Sequence, residues 1–208
     1  YEAPGGSTSA IIAYSQVSGL LIENNDITAL AGPSGGQAGG NGINLKDTVT
    51  NAIIRYNYIH DCVADGIWTA NQGTPNGIKI YQNIFSNNNT SHSDNGALTF
   101  AILTDNVDVY NNTFYGNYRD YVHANSAVKN WQWFNNIHVN AGQFFRVPYS
   151  GNKFSFTYLN YNSYTDTAPA WNLYPSTYTS LSAWASACGV LLTGCDINSI
   201  TTDPGFLN

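Results

Sequence analysis

Asn106-Val-Asp-Val-Tyr-Asn-Asn-Thr-Phe114 is the stretch on which the reading of the fold turns. Val107 and Val109 alternate with polar neighbours, the period of a short, half-buried strand. A polar turn centred on Asn112 follows, and then an aromatic residue, Phe114. The same order recurs along the chain. Leu20, Ile22, Asn25 and Ile27 carry it first. Ala52, Ile54, Asn57 and Ile59 repeat it, as do Ile78, Ile80, Asn83 and Phe85. Trp131, Trp133, Asn136 and His138 follow the central copy, and Thr157, Leu159, Asn162 and Tyr164 form a degenerate sixth. The asparagines lie 32, 26, 29, 24 and 26 residues apart. A strand-containing repeat of that length implies a solenoid, one coil per repeat.

A strand this short cannot build a core alone. Stacked about 4.8 Å apart, such strands become parallel, in-register sheets whose apolar positions form columns inside a tube. The asparagine column then falls at a turn, where each amide can donate to one neighbouring coil and accept from the other. The repeat resembles that of the right-handed parallel β-helix superfamily, which includes pectate lyases, other polysaccharide lyases, polygalacturonases, epimerases and phage tailspikes. The resemblance covers nearly the whole chain and implies an all-β, right-handed parallel β-helix of about six coils. The repeated residues are structural in that superfamily, so the resemblance speaks to fold more than to function.

The 208 residues fit one domain, with residues 1–9 as a loose Gly/Ser-rich arm and 165–208 as a degenerate coil and C-terminal cap. Hydrophobic residues make up 43%, enough to fill a narrow core, while charged residues are only 10%, a balance that suits a secreted, extracellular β-protein. The net charge is −6 with no basic run, which excludes a phosphate-gripping surface and makes nucleic acid a poor partner. No apolar run approaches the roughly 20 residues needed to span a bilayer. Cys188 and Cys195 enclose a short turn-rich segment, so a local disulfide fits there. Cys62 reads as a small buried hydrophobe. Ser180–Ala187 has a capping serine and apolar Leu181, Trp184 and Ala185, as expected of a short helix covering the C-terminal end. No amphipathic cap precedes the first strand, so a neighbouring domain or subunit is expected over the N-terminal end.

β-helix enzymes of this superfamily bind polysaccharide along the outside of one sheet, so the outward columns carry the functional reading. Between the asparagine strands lies a second strand per coil: Gly42–Leu45, Gly66–Thr69, Gly96–Thr99, Tyr121–Ala124 and Phe144–Val147. With the middle apolar residue turned in, Tyr121, His123, Phe144, Arg146 and Trp68 face out. The third strand is ambiguous, because Leu98 and Phe100 could point in instead of Ala97. Asp65 and Asp120 precede their strands at matching positions, each at a turn. The catalytic candidates are therefore His123, Arg146, Tyr121 and Asp120, with Trp68, Phe144 and Asp65 as substrate-binding candidates. An imidazole, a guanidinium and a carboxylate could abstract a proton α to a uronate carboxylate and neutralise that carboxylate.

A second candidate, Lys79 beside Asp108 and Gln132 on the first-strand sheet, reads more simply as a cross-strand surface pair. Asp47, Asp61, Asp65, Asp94 and Asp120 could offer oxygens to Ca2+, as in many polysaccharide lyases, but show no regular ligand spacing, and no metal site is assigned. The superfamily's polygalacturonase signatures and its Asp-Pro-His epimerase motif are absent. Two functions follow: a polysaccharide-lyase-like enzyme acting on an acidic glycan, or a non-catalytic structural, filament or glycan-binding β-helix.

Overall fold

The computed structural model of the chain describes residues 9–29, 39–70, 73–90, 95–123, 129–147, 156–166 and 170–202. The N-terminal arm, most of the Gly-rich 30–40 loop, His92, Asp94 and the segment after Thr202 lie outside these residues. Each coil contributes a strand to each of three parallel sheets. Ser9–Ala13, Asn41–Lys46, Ile67–Ala70, Leu98–Phe100, Arg119–His123, Gln143–Val147 and Trp171–Leu173 build the first sheet, which Ser176–Tyr178 ends as an antiparallel hairpin partner. The second sheet holds the repeat of the opening stretch, with Asn76–Tyr81, Asp105–Tyr110 and Lys129–Phe134 as its longest strands. The third is made of three-residue strands from Asp26–Thr28 to Ser163–Thr165.

The coils are not six alike. The first two break their second-sheet strand in two, at Val17–Ser18 with Leu21–Glu23 and at Val49–Thr50 with Ile53–Arg55. The last ends in the hairpin and helix instead of another full turn.

Register is held from coil to coil. Ile78 pairs with Val107 and Val107 with Trp131, while Ile80 pairs with Val109 and Val109 with Trp133. These residues all face one core. Its filling changes along the axis. Isoleucines dominate the early coils, through Ile22, Ile43, Ile54, Ile59, Ile67, Ile78 and Ile80; Trp131, Trp133, Phe144, Phe145, Tyr164, Trp171 and Trp184 fill the last ones. On the inner side of the third sheet, Phe85, Phe114, His138 and Tyr164 stack ring on ring, each centroid 4.9 Å from the next. That spacing is the rise of one coil, so the stack follows from register alone.

The asparagine corner lies between the second and third sheets. Asn25, Asn57, Asn83, Asn112 and Asn136 each donate from Nδ2 to the Oδ1 of the next, at 2.9, 3.0, 3.1, 3.1 and 3.3 Å, ending on Asn162. The same Oδ1 accepts the backbone N–H of the preceding ladder residue. The residue before each ladder asparagine is left-handed: Asn24, Tyr56, Gln82, Asn111, Asn135 and Tyr161 have φ between 54° and 57°. Asparagine tolerates that conformation, but tyrosine and glutamine are held in it against a cost of roughly 1–2 kcal/mol each. The amide ladder is the local interaction that holds them.

A second ladder, not anticipated from the sequence, follows the third sheet. Asn88 donates to Asn117 at 3.1 Å, and Asn117 to Asp120 at 3.0 Å. Both asparagines sit five residues after a main-ladder asparagine, and that constant offset was the signal available. Cys62 takes the same place one coil earlier, where its N–H donates to Asn88 Oδ1. Burial pushes its thiol up to about 12, so it is an inert packing group, as expected.

The C-terminal cap closes the tube. Helix Leu181–Gly189 starts on Ser180, whose side chain accepts from the N–H of Ala183, and it buries Trp184 and Cys188 rather than Ala185. Cys188 and Cys195 are disulfide-bonded. Asp196 is the keystone. Its buried carboxylate accepts from Trp184 Nε1, Tyr164 OH, Asn162 Nδ2 and Ser199 Oγ. Ser199 Oγ in turn accepts from the backbone N–H of Asn162. An aspartate and a serine thus stand in for the next asparagine of the ladder. At the other end, the strands of the first coil occupy sheet edges, and Asn25 is exposed.

Candidate functional site: the outer face of the first sheet

The columns of the first sheet follow from its pairing. Ile43, Ile67, Leu98, Tyr121, Phe145 and Trp171 are register partners, and all belong to the core. One residue on, Asn44, Trp68, Thr99, Val122, Arg146 and Asn172 are partners, and alternation turns them outward. Val122 is buried yet stands apart from the core cluster, as this assignment requires. Two residues on, Leu45, Thr69, Phe100 and His123 point in again.

Four of the seven candidates are therefore on the wrong side for the role expected of them. Tyr121 is fully buried in the core, its hydroxyl 3.3 Å from His123 Nδ1, and His123 is itself buried. Phe144 packs inside against His138, Tyr164 and Trp171. Asp120 also points inward. One oxygen accepts from Asn117 and the other lies 2.8 Å from His138 Nδ1, with both side chains fully buried. His138 Nε2 accepts from Trp133 Nε1, which places the imidazole proton on Nδ1, facing Asp120. Burial raises the Asp120 carboxyl, while His138 and Asn117 pull it back down. This network joins the second ladder to the core.

The cause is a bend at the start of each strand, where two successive residues face inward: Gly66 and Ile67, Asp120 and Tyr121, Phe144 and Phe145. A Cβ on Gly66 would meet Ala97 O at 2.6 Å and Phe85 Cδ1 at 3.2 Å, which locates that position against the interior. Leu98 and Phe100, the second option for the ambiguous strand, are the inward pair there, and they fix the register of their neighbours. A one-residue slip turns every side chain over.

Trp68, Arg146 and Asp65 remain on the outer side. Trp68 and Arg146 are partly exposed. Extending the register back two residues from Ile67, Leu98 and Tyr121 aligns Asp65 with Gly96 and Arg119, so Asp65 and Asp120 are not equivalent. Asp65 reaches the next coil, where Oδ2 accepts from Asn95 Nδ2 at 2.9 Å and Oδ1 from the Gly96 N–H at 3.3 Å. Thr99, a member of the outward column, also hydrogen-bonds its side chain. Complete burial raises this carboxyl to about 7, against the lowering effect of those three partners. Arg119 lies two coils on, its Nε donating to Gln143 Oε1 at 2.8 Å and its guanidinium 4.5 Å from the Tyr118 ring centre. Its Nη1 lies 3.5 Å from the Asn95 carbonyl, so Asn95 links the carboxyl and the cation. Two further asparagines lie on this side, Asn41 and Asn44. Sequence reasoning passed over Asn41, Asn44, Asn95, Thr99 and Arg119 because none repeats.

Other faces offer less chemistry. Lys79 and Asp108 are register partners with Gln132 next, yet no ion pair joins Lys79 to Asp108. An outer aromatic stripe runs through Tyr81, Tyr110 and Phe134, with interplanar angles of 5° and 4°. The rings cover one another's faces, and Arg55 lies 6.0 Å from the Tyr81 ring centre, so edges rather than faces meet solvent. Such a stripe stabilises coil stacking but gives a sugar no flat platform. His60 bridges Asp26 and Asp61 at 2.7 and 2.6 Å. Desolvation opposes its charge, but the two carboxylates outweigh that and hold the imidazole above its usual range. Of the aspartates considered for Ca2+, Asp94 lies outside the described residues, and no metal-holding group of three or more His, Cys, Asp or Glu occurs among the described ones.

The stacked sheets and their held register define a parallel β-helix. The chain belongs to the right-handed β-helix family: residues 5–114, just over half of its length, match the family described as "Right handed beta helix region". No curated protein and no solved structure matches the chain. Among the described residues no helix is long and apolar enough to cross a membrane.

Proposed function

We propose that the chain is a secreted, polysaccharide-lyase-like β-helix that acts on an acidic glycan lying along the outer face of the first sheet. The observation that carries this reading is Asp65, a carboxyl raised to about 7 on the side of the outward column. A carboxyl of that kind can both accept and return a proton at neutral pH. In a β-elimination it would take the proton α to the uronate carboxylate, the C4–O4 glycosidic bond breaking as the C4–C5 double bond forms and the departing O4 taking up a proton, while Arg119 and Arg146 neutralise carboxylates along the polymer. Trp68 offers an aromatic surface on the same side. The bonded Cys188–Cys195 pair supports an oxidising, extracellular compartment. A neighbouring domain or subunit over the N-terminal sheet edges belongs to the same reading.

The test is incubation with a panel of uronate polysaccharides, read by the absorbance of unsaturated products. Turnover should rise with pH through about 7, as Asp65 ionises. Arg146→Gln should raise KM roughly tenfold, the loss of one charge-assisted contact. Absence of unsaturated product from every polymer removes the lyase reading.

A second reading, a non-catalytic glycan-binding β-helix, is favoured by the complete burial of Asp65 and the inward placement of His123. It predicts binding of the same polymers without product.

A further inference from the structure

The amides of Asn41 and Asn44 set them apart from the ladder asparagines. Both residues are fully buried. Both side-chain atoms of Asn44, Oδ1 and Nδ2, lack a hydrogen-bond partner, as does Asn41 Nδ2. Asn41 Oδ1 is used, accepting the N–H of Asp65 at 3.1 Å. Asn44 sits in the outward column between Ile12, which is 46% exposed, and the partly exposed Trp68, so the surface on either side of it reaches solvent. A buried carboxamide with both ends unmet is unfavourable in the free protein, and native structures retain few such groups. Here it lies one coil from Asp65 and Trp68, in the column on which the proposed glycan path rests.

We infer that Asn44, with Asn41 Nδ2 and Trp68, forms a subsite for a neutral sugar residue of the bound glycan, read through two adjacent hydroxyls. This rests on the reading of the outer face given above. A carboxamide presents one acceptor and one donor side by side, and adjacent sugar hydroxyls present a donor and an acceptor at matching separation. Asn41 Nδ2 adds a second donor for a hydroxyl or ring oxygen. The groups offered to the sugar here, two carboxamides and an indole, carry no charge; Lys46, two residues on in the same phase, already has a partner, and the arginines lie three and four coils further on. The end of the face at Asn44 therefore selects a neutral residue, and the end at Arg119 and Arg146 an acidic one. A sugar entering at Asn44 must uncover the amide, and Trp68, its partly exposed register partner on the next coil, is placed to cover the apolar face of the ring.

The test uses the whole chain, by calorimetric titration with two sets of oligosaccharides, one fully uronic and one carrying neutral residues beside uronates. Asn44→Leu removes the unmet amide while keeping its volume. It should weaken binding of the mixed oligosaccharides tenfold or more, leave binding of the fully uronic set within twofold, and melt no lower than wild type. A structural asparagine would instead give a lower Tm. Full affinity of Asn44→Leu for mixed oligosaccharides overturns the subsite, as does a lower Tm with affinities unchanged. Tryptophan fluorescence supplies a second readout: a mixed oligosaccharide should perturb the wild-type signal, and Trp68→Phe should remove that perturbation. If wild type binds neither set, the glycan reading of the whole face fails and the subsite with it. If it binds only uronic oligosaccharides, the face stands and the subsite alone is overturned.

Discussion

Asparagine builds both the corner of the tube and part of the outer face of the first sheet, with opposite results. At the corner every ladder amide between Asn57 and Asn136 is matched: its oxygen accepts twice from the coil before, and its nitrogen donates to the next amide and to backbone carbonyls. On the outer face, Asn44 meets no partner at either end and Asn41 at only one. The residue type is the same and both places are buried. The difference is repetition. A corner asparagine finds its complement because the next coil carries another asparagine at the same register. An outer-face asparagine has Trp68 or Asp65 there instead, and its amide is left for something outside the chain. Buried polarity that repeats is structure; buried polarity that does not repeat is where function has to be sought.

The largest effect should come from removing the residue that ends the ladder. Asp196→Ala strips the acceptor from four donors, three of them buried, and should cost about 3–5 kcal/mol, comparable to breaking a buried charged network. Urea unfolding measures it; a loss within experimental error would mean that the corner does not depend on closure at its end.

On the outer face the sign reverses. The Asp65 carboxyl is raised to about 7 in the folded chain, against about 3.9 when unfolded. Between these values the folded state holds the proton that the unfolded chain has lost, so stability is greatest below about pH 4 and falls as pH rises to about 7, by up to about 4 kcal/mol. Asp65→Asn cannot ionise. It should flatten that slope and melt higher than wild type at pH 8, while matching it at pH 4. Parallel Tm-against-pH curves for the two proteins would show that Asp65 carries no such burden and would erase its contrast with the ladder.

Asn112→Leu acts in the middle of the corner. Asn83 Nδ2 keeps its two carbonyl acceptors and Asn136 Oδ1 keeps the backbone N–H of residue 112, so the loss falls mainly on the Asn83 N–H and the facing amide atoms, at about 1–3 kcal/mol. Thermal melting reads this, and an unchanged Tm would indicate that water can serve the ladder. Set beside Asn44→Leu, the pair of identical substitutions divides the two kinds of asparagine: one lowers stability, the other lowers affinity.

The repeat itself was legible. Val107, Val109, Asn112 and Phe114 predicted a strand, a ladder turn and an inward apolar column, and each lies where that order puts it. The disulfide and the serine-capped helix were legible for the same reason, since spacing and capping are local. The site was not. Tyr121-Val122-His123 alternates plausibly in either phase, and hydrophobicity favoured Val122 inside. The phase is fixed by the neighbouring coils, through Leu98 and Phe100 on one side and Phe145 on the other. Consistent use of Leu98 and Phe100 would have turned Tyr121 and His123 inward. No local signal gave the strand-start bend that carries Asp120 and Phe144 inside with them.

The sequence by itself thus determined the architecture, because a solenoid core is periodic and periodicity is visible in one dimension. It also determined which asparagines stack, since constant register converts spacing into contact. Only the tertiary structure decided which side of the first sheet each polar residue occupies. Facing depends on a single residue of phase, and that phase is set by hydrogen bonds between coils some 23 to 31 residues apart. The burial that lifts Asp65 and leaves Asn44 unmatched arises in the same way, from side chains brought together across coils rather than along the chain.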